Sequence, residues 1–251
     1  VYLDSSGGIF DPLDGRADLH TSRLRFAGDA GLRVQEDALR MIRYCRFLPR
    51  FATTGIDPQA QTALREHASL CAGLSGERIA NEMRRIMVGG GLKEVIGLLQ
   101  DSKIDQAAFG LSLDPSRLAN DDEIGSMIAG LGANVDFVWL ANLAVAMPSG
   151  SAVLLAKRLR LSRAEERCLT RLDLGLGHGD MKMLSGARWR QAVYYLGDMA
   201  ALLFAVQTWR NGHALDASRL ANFTSWTRPQ NPICGADLLS HGVDKLSLIH
   251  I

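Results

Sequence analysis

The chain has 251 residues, a formal net charge of +1 and 47 % hydrophobic residues. That length holds one large domain or two to three smaller helical ones, and the near-neutral total excludes a globally basic nucleic-acid-coating protein while leaving room for a local basic surface. Cys45, Cys71, Cys168 and Cys234 are scattered without metal-ligand spacing, which predicts free thiols in a reducing compartment. No apolar run reaches the ~18 residues of a membrane helix and no signal-peptide pattern opens the chain, so a cytoplasmic protein with no membrane partner is expected.

In chain order, Val1–Asp4 and Ile9–Phe10 flank a Ser-Ser-Gly-Gly turn and predict a β-hairpin with no sheet to join, which leaves Ile9 and Phe10 exposed. Asp11–Leu19 is punctuated by Pro12 and Gly15 and reads as turn. A short strand is expected at Leu24–Phe26, broken by Gly28-Asp29-Ala30-Gly31 before one amphipathic helix over Arg33–Phe47. From there the helical period dominates. Asp57-Pro58 supplies an N-cap and a first-turn proline for a helix over 57–68. Ser75 opens another that runs to about Val88 and ends on Gly89-Gly90-Gly91. Further helices are expected at about 92–102, 120–131, 135–146, 150–160, 163–173, 186–195, 197–211 and 215–221, then a loop at Pro229, Pro232 and Gly235 and a short helix from Ala236. Lys245–Ile251 is apolar and uncapped and reads as a non-native terminus. The fold class is mainly α, a multi-helix array with a small N-terminal β-hairpin.

The Arg33–Arg50 stretch carries the chemistry. On a helical wheel Ala38, Met41, Ile42, Cys45 and Leu48 share one side, Glu36, Arg40, Arg43, Arg46 and Arg50 the other, with Asp37 at the border. Taken alone, this is either a solvated face laced by ion pairs or a base reader. An ionised Asp only accepts hydrogen bonds and an Arg only donates them. Together they complement an exocyclic amine beside a ring nitrogen, the edge shared by cytosine and adenine. Uracil and guanine place a carbonyl where the amine belongs, and an unmade buried polar contact costs roughly 1–3 kcal/mol.

Glu36-Asp37-x-x-Arg40, continued by Arg43-x-x-Arg46-Phe47, resembles the nucleotide-selecting motif of bacterial tRNA nucleotidyltransferases (CCA-adding enzymes) and the related poly(A) polymerases. Asp11-Pro12-x-x-Gly15-x-x-Asp18-Leu19 resembles the family's hinge between head and neck, and Leu24-Arg25-Phe26-x-Gly28-Asp29 with Arg33 its approach to the selecting helix. Ser75-Gly76-Glu77-Arg78-Ile79-x-x-Glu82 resembles the neck motif that buttresses that helix. Arg158-Leu159-Arg160-Leu161-Ser162, Tyr195-Leu196-Gly197-Asp198 and Pro232-x-x-Gly235-x-Asp237-Leu238 are similar to segments of body and tail. The first 90 residues or so carry the specific part of the resemblance.

The resemblance implies an enzyme that adds C and A from CTP and ATP to the 3′ end of tRNA without a template. It implies base contacts by Asp37 and Arg40, support from Glu36 and Arg43, and a hinge and neck built on Asp11, Gly15, Asp18, Glu77 and Arg78. Mg²⁺ would be held by head carboxylates upstream of residue 1, so no catalytic residue and no metal ligand is expected in this chain. The layout expected is the end of the head at 1–30, neck at 31–100, helical body at 101–220, partial tail at 221–244 and non-native terminus at 245–251. A poly(A) polymerase, an enzyme adding only CC or only A, and a non-catalytic helical RNA-binding module are the alternatives.

Weaker candidates remain. Lys157, Arg158, Arg160 and Arg163, with Arg167 and Arg171, form a basic run against Glu165 and Glu166, either RNA phosphate contacts or a solvated helix pair. His178 and Asp180 in a glycine-rich stretch read as an interhelical turn rather than a metal loop. Trp139, Trp189, Trp209 and Trp226 read as core rather than stacking platforms. Asp4, Asp11, Asp14 and Asp18 read as turn and capping residues.

Overall fold

The computed structural model describes residues 2–3, 5–52, 55–120, 123, 125, 137–174, 188–196, 199–227 and 229. A two-stranded antiparallel hairpin, β1 (Tyr2–Leu3) and β2 (Ile9–Phe10), pairs Tyr2 with Phe10 and Leu3 with Ile9. Ile9 and Phe10 are exposed, as the sequence predicts. The remaining described elements are helical, so the mainly α class holds.

Four features differ from the sequence reading. Asp11–Leu19 contains a helix, α1 (Gly15–His20), because the Asp11 carboxylate accepts the first-turn amides of Gly15 and Arg16 at 3.0 and 2.7 Å. Leu24–Phe26 forms no strand. The Leu24 carbonyl accepts the Tyr44 hydroxyl at 3.1 Å and the Phe26 ring stacks on Tyr44, so side chains rather than a neighbouring strand hold this segment. The single helix expected over Arg33–Phe47 is two, α2 (Ala30–Glu36) and α3 (Leu39–Phe51). A short helix at Ile104–Phe109 (α7) escaped the period analysis, six residues being too few to establish it.

Elsewhere the helix starts fall where the sequence predicts, although Ser75 makes no side-chain cap bond and Met87, not the glycine run, closes its helix. Asp57 caps α4 (Pro58–His67) through the amides of Gln59 and Ala60, and a 3-10 helix, Ala68–Gly73, continues it. Ser75 precedes α5 (Gly76–Ile86), and the glycine run leads into α6 (Leu92–Asp101). A turn of 3-10 helix at Pro115–Arg117 follows α7. The second half comprises α8 (Val138–Ala146), α9 (Ala152–Leu159), α10 (Arg163–Leu174), α11 (Trp189–Leu196), α12 (Met199–Arg210) and α13 (Ala217–Ser225). Most of 120–131, the 175–180 turn, the tail motif, the helix expected from Ala236 and Lys245–Ile251 lie outside the described residues.

One apolar core joins the two halves. Every residue of α8 is buried, as an all-round apolar helix requires, and α8 packs against α5, α10 and α12. Its one amide side chain, Asn142, donates to the Met87 carbonyl at 2.6 Å. Trp139 and Trp209 are buried and Trp189 and Trp226 pack on the core edge, in line with the core reading. The Cys45, Cys71 and Cys168 thiols are free and buried; burial pushes Cys71 and Cys168 up to about 12 and raises Cys45 as well, so none is a nucleophile near neutrality.

The helix carrying the buttress motif, α5, lies against α9 with no room to spare. A Cβ on Gly76 would sit 2.1 Å from the Arg158 carbonyl oxygen, whereas Gly97 in α6 has nothing within 4 Å. Gly76→Ala must therefore push the α5 and α9 backbones away from each other and is expected to cost about 1–3 kcal/mol in urea unfolding. Gly97→Ala is expected to raise stability by roughly 0.5–1 kcal/mol through helix propensity. Equal effects of the two substitutions would contradict this packing.

Candidate functional site

Asp37 sits where α2 ends and α3 has yet to begin. Its backbone is extended (φ −153°, ψ 102°) and its carboxylate accepts the Leu39 amide at 3.1 Å, opening α3. A short acidic side chain that bonds a nearby backbone amide favours such a break over an uninterrupted helix. The break turns the carboxylate towards α5, where Arg78 donates to both of its oxygens at 2.8 and 2.9 Å. Partial burial of Asp37 works the other way, but the Leu39 amide and the Arg78 guanidinium outweigh it and hold this carboxyl below the usual aspartate range.

Arg40 is the second residue of α3. Its guanidinium donates to the Arg33 carbonyl at 2.8 Å and to the Glu36 carboxylate, which also takes Arg33. Arg40 draws Glu36 below the usual glutamate range, with Arg33 contributing its charge. Among the described contacts Asp37 and Arg40 do not bond each other; each is oriented by its own partners. Their side chains are 25 % and 29 % exposed, so the acceptor and the donor remain accessible.

Arg43 and Arg46 converge on one buried carboxylate. Arg43 Nε reaches Glu82 Oε1 at 2.8 Å and Arg46 Nε reaches Oε2 at 2.9 Å, with Glu82 itself 3 % exposed. The i,i+3 spacing of the arginines on α3 makes this two-to-one clamp possible. The sequence names Glu82 within a motif, but nothing in the spacing alone reveals which arginines it takes.

The hinge residues and the segment after them form a second set of ties. Asp18 pairs with Arg25, which also donates to the Leu13 carbonyl at 2.6 Å. Asp57 accepts Arg23 at 2.7 Å while capping α4, and the Tyr44 hydroxyl accepts the Asp57 amide at 3.3 Å. Sequence reasoning missed this network; its signal was a tyrosine, Tyr44, on the apolar face of α3. Among the described residues no group of three or more His, Cys, Asp or Glu could hold a metal ion. Asp11 and Asp18 have backbone and arginine partners instead, so this set does not fit Mg²⁺.

The basic run divides in two. Arg158 reaches from α9 to the carbonyls of Leu74, Cys71 and Ala72 at 3.0–3.4 Å, a cation at the C-terminal end of the 3-10 helix. Arg160 pairs with Glu77 at 2.8 Å, drawing that glutamate below its usual range. Arg84 of α5 holds Glu165 at 2.7 Å and lies over the Trp139 ring. Lys157 and Arg163 are exposed and make no ion pair among the described residues. Among those residues, too, no helix is long and apolar enough to cross a membrane.

Removing Glu82 strands two arginines beside a buried site, whereas Glu77 and Arg160 are about half and two-thirds exposed. Glu82→Ala is expected to lower unfolding free energy by about 2–3 kcal/mol. Glu77→Ala is expected to change it by less than about 1 kcal/mol. Denaturant titration of the two variants measures the difference, and a mild Glu82 effect would contradict the clamp.

Residues 55–109 match the family model described as "Probable RNA and SrmB- binding site of polymerase A". The chain is 37 % identical over 133 residues to the human protein named CCA tRNA nucleotidyltransferase 1, mitochondrial, covering 52 % of this chain and 30 % of that one. It is 34 % identical over 116 residues to the CCA-adding enzyme of Bacillus pumilus (strain SAFR-032), covering 45 % and 28 %. The matched stretch thus spans less than a third of these relatives. In fold, the chain resembles a CCA-adding enzyme solved with CTP (TM-score 0.66, 18 % identity, 95 % of this chain and 58 % of that one). It also resembles the Thermotoga maritima CCA-adding enzyme solved with tRNA (TM-score 0.61, 19 % identity, 96 % and 60 %). Together with the motifs around Asp37, Arg40 and Glu82, these matches make the chain similar over part of its length to CCA-adding enzymes and to the RNA-binding segment of poly(A) polymerases.

Proposed function

We propose that the full-length protein adds C and A from CTP and ATP to the 3′ end of tRNA without a template. In this reading residues 31–100 are the base-selecting neck, 101–220 the RNA-binding body and 221–244 a partial tail. Residues 1–30 are the end of a nucleotidyltransferase head. The observation that carries it is the Asp37 carboxylate. It is fixed by Leu39 and Arg78 and held below the usual range, three residues before an independently oriented Arg40.

The chemistry follows from counting lone pairs. Oδ1 accepts Leu39 and Arg78, and Oδ2 accepts Arg78 alone. Acceptor capacity therefore remains on Oδ2 for an exocyclic amine, while Arg40 donates to the adjacent ring nitrogen or carbonyl. Because Asp37 stays ionised near neutrality it cannot donate, and the carbonyl of uracil or guanine meets a repelling acceptor. Glu36 and Glu82 orient Arg40 and Arg43 rather than touching nucleotide. Mg²⁺ supplies charge stabilisation for nucleotidyl transfer in such enzymes. The described residues offer it no site, and we place its ligands in the head. Lys157 and Arg163 are the members of the basic run best placed to meet tRNA phosphates, since Arg158 and Arg160 already have partners. A cytoplasmic location belongs to the same reading and is supported by the free thiols.

A poly(A) polymerase is the second reading, favoured by the description of the family model. Incorporation assays separate the two: CMP followed by AMP on tRNA lacking its CCA end supports the first, and repeated AMP alone the second. In the full-length protein Asp37→Ala is expected to reduce the preference for CTP over UTP by about 10-fold or more, the ratio set by one lost polar discrimination, with tRNA binding retained. An unchanged preference would contradict base readout. The 251-residue chain alone, given CTP, ATP, Mg²⁺ and tRNA, is expected to incorporate nothing; robust incorporation would place the catalytic carboxylates within it.

A further inference from the structure

A concavity of about 360 Å³ lies on the seam between the two halves of the chain, and none of its lining residues belongs to α2, α3 or α5. Its walls come from the first turn of α6 (Lys93), from the 3-10 turn and the residues after it (Arg117, Asn120, Glu123), and from the end of α12 and the turn that follows (Trp209, His213).

Local chemistry builds each wall. Gly212 takes φ +71°, which lets its amide and that of His213 turn back onto the Trp209 and Thr208 carbonyls at 2.8 and 3.0 Å. This double closure ends α12 and sets His213 in the same wall as Trp209. Asp114 accepts the Ser116 amide and Arg117 Nε, each at 3.0 Å, so the guanidinium is held by one edge and its two terminal nitrogens stay available. Asn120 Oδ1 accepts the Glu123 amide at 3.0 Å and fixes where that acid begins.

The charges in these walls are of both signs. Lys93 and Glu123 line the same cavity, yet neither forms an ion pair among the described residues. A simple anion entering it meets Glu123, and a simple cation meets Lys93 and Arg117; like charges so placed repel. A ligand that carries both signs satisfies the two sides at once. Trp209 is buried, and its indole N–H has no hydrogen-bond partner among the described residues. A buried donor without an acceptor is costly. Leu118 and Ala119, also buried, add apolar surface to the wall.

We propose that this concavity binds a free α-amino acid. Its carboxylate is taken by Lys93 and the terminal nitrogens of Arg117 and offers the Trp209 indole an acceptor; its ammonium is taken by Glu123. Leu118 and Ala119 receive carbon of the side chain. The volume is near the lower end of the roughly 300–1,000 Å³ of small-molecule sites. Both charged groups must be free on one carbon, which a peptide terminus or a protein side chain does not offer. Bound there, the amino acid joins α6 to the turn after α12. The proposal does not rest on base readout at Asp37.

The test uses the 251-residue chain with ¹⁵N in its four tryptophan indoles, titrated with each of the common L-amino acids to millimolar concentration. Trp209→Phe identifies the Trp209 indole signal. At least one amino acid is expected to shift that signal saturably and to raise the melting temperature. For that ligand, Lys93→Gln and Glu123→Gln are each expected to weaken binding by about 10-fold or more, the loss of one charged hydrogen bond. N-acetylation of its ammonium and amidation of its carboxylate are expected to do the same. Lys103→Gln, an exposed lysine outside the cavity, is expected to leave binding unchanged. Because the ligand derivatives probe the same contacts on the unaltered chain, a variant that fails to fold leaves the test intact. A Trp209 signal that no amino acid moves overturns the proposal. So does binding that survives both derivatives, or that the folded Lys93 and Glu123 variants leave unchanged. A shift caused by inorganic phosphate or a single-stranded RNA oligonucleotide, but by no amino acid, overturns it in favour of a plain anion site.

Discussion

Glu82 is the buried charge on which the arrangement of the candidate site depends. A carboxylate inside an apolar contact between α3 and α5 is tolerated only with strong partners, and Arg43 and Arg46 supply them, one per oxygen. Two bonds from consecutive turns of α3 fix the rotation and the register of that helix against α5. Once the register is fixed, Arg78, one turn before Glu82, falls opposite Asp37. The Asp37 carboxylate is thus oriented from α5, while Glu36 orients Arg40 from within its own segment.

The same helix looks both ways. Glu77 and Arg84 take Arg160 and Glu165 from the second half of the chain, and Gly76 lets the backbones meet. The exposed Glu77 pair adds little stability in water. The half-buried Arg84 pair, stacked over Trp139, and the apolar α8 beneath it are what tie α5 to the second half of the chain.

Much of this was legible in sequence because local chemistry determined it. Asp57-Pro58 and Ser75 marked helix starts that the structure contains, and the apolar side of α3, from Ala38 to Leu48, is buried as the wheel predicts. What was illegible depended on partners distant in sequence or on competition within a few residues. Period alone carried the helix through Asp37, yet that side chain prefers the Leu39 amide and breaks it. The strand expected at Leu24–Phe26 had the right residue types but no neighbour to pair with, and Tyr44 took its carbonyl instead. Arg158 looked like a phosphate contact from its neighbours in sequence; its guanidinium instead closes the end of a 3-10 helix more than 80 residues earlier. Charge runs show where cations gather, not which of them the fold has already paired.

The central claim is that Asp37 stays an acceptor-only carboxylate, held so by Leu39 and Arg78, with one oxygen left for a base amine. Carboxyl-carbon NMR of the full-length protein, titrated in pH and then with CMP, AMP, UMP and GMP, tests it directly. The account predicts an Asp37 midpoint below the free-aspartate value of about 3.9, an upward move in Arg78→Met, and an Asp37 shift on adding CMP or AMP. A midpoint at the ordinary value in both proteins, or the same response to UMP and GMP as to CMP and AMP, would contradict it.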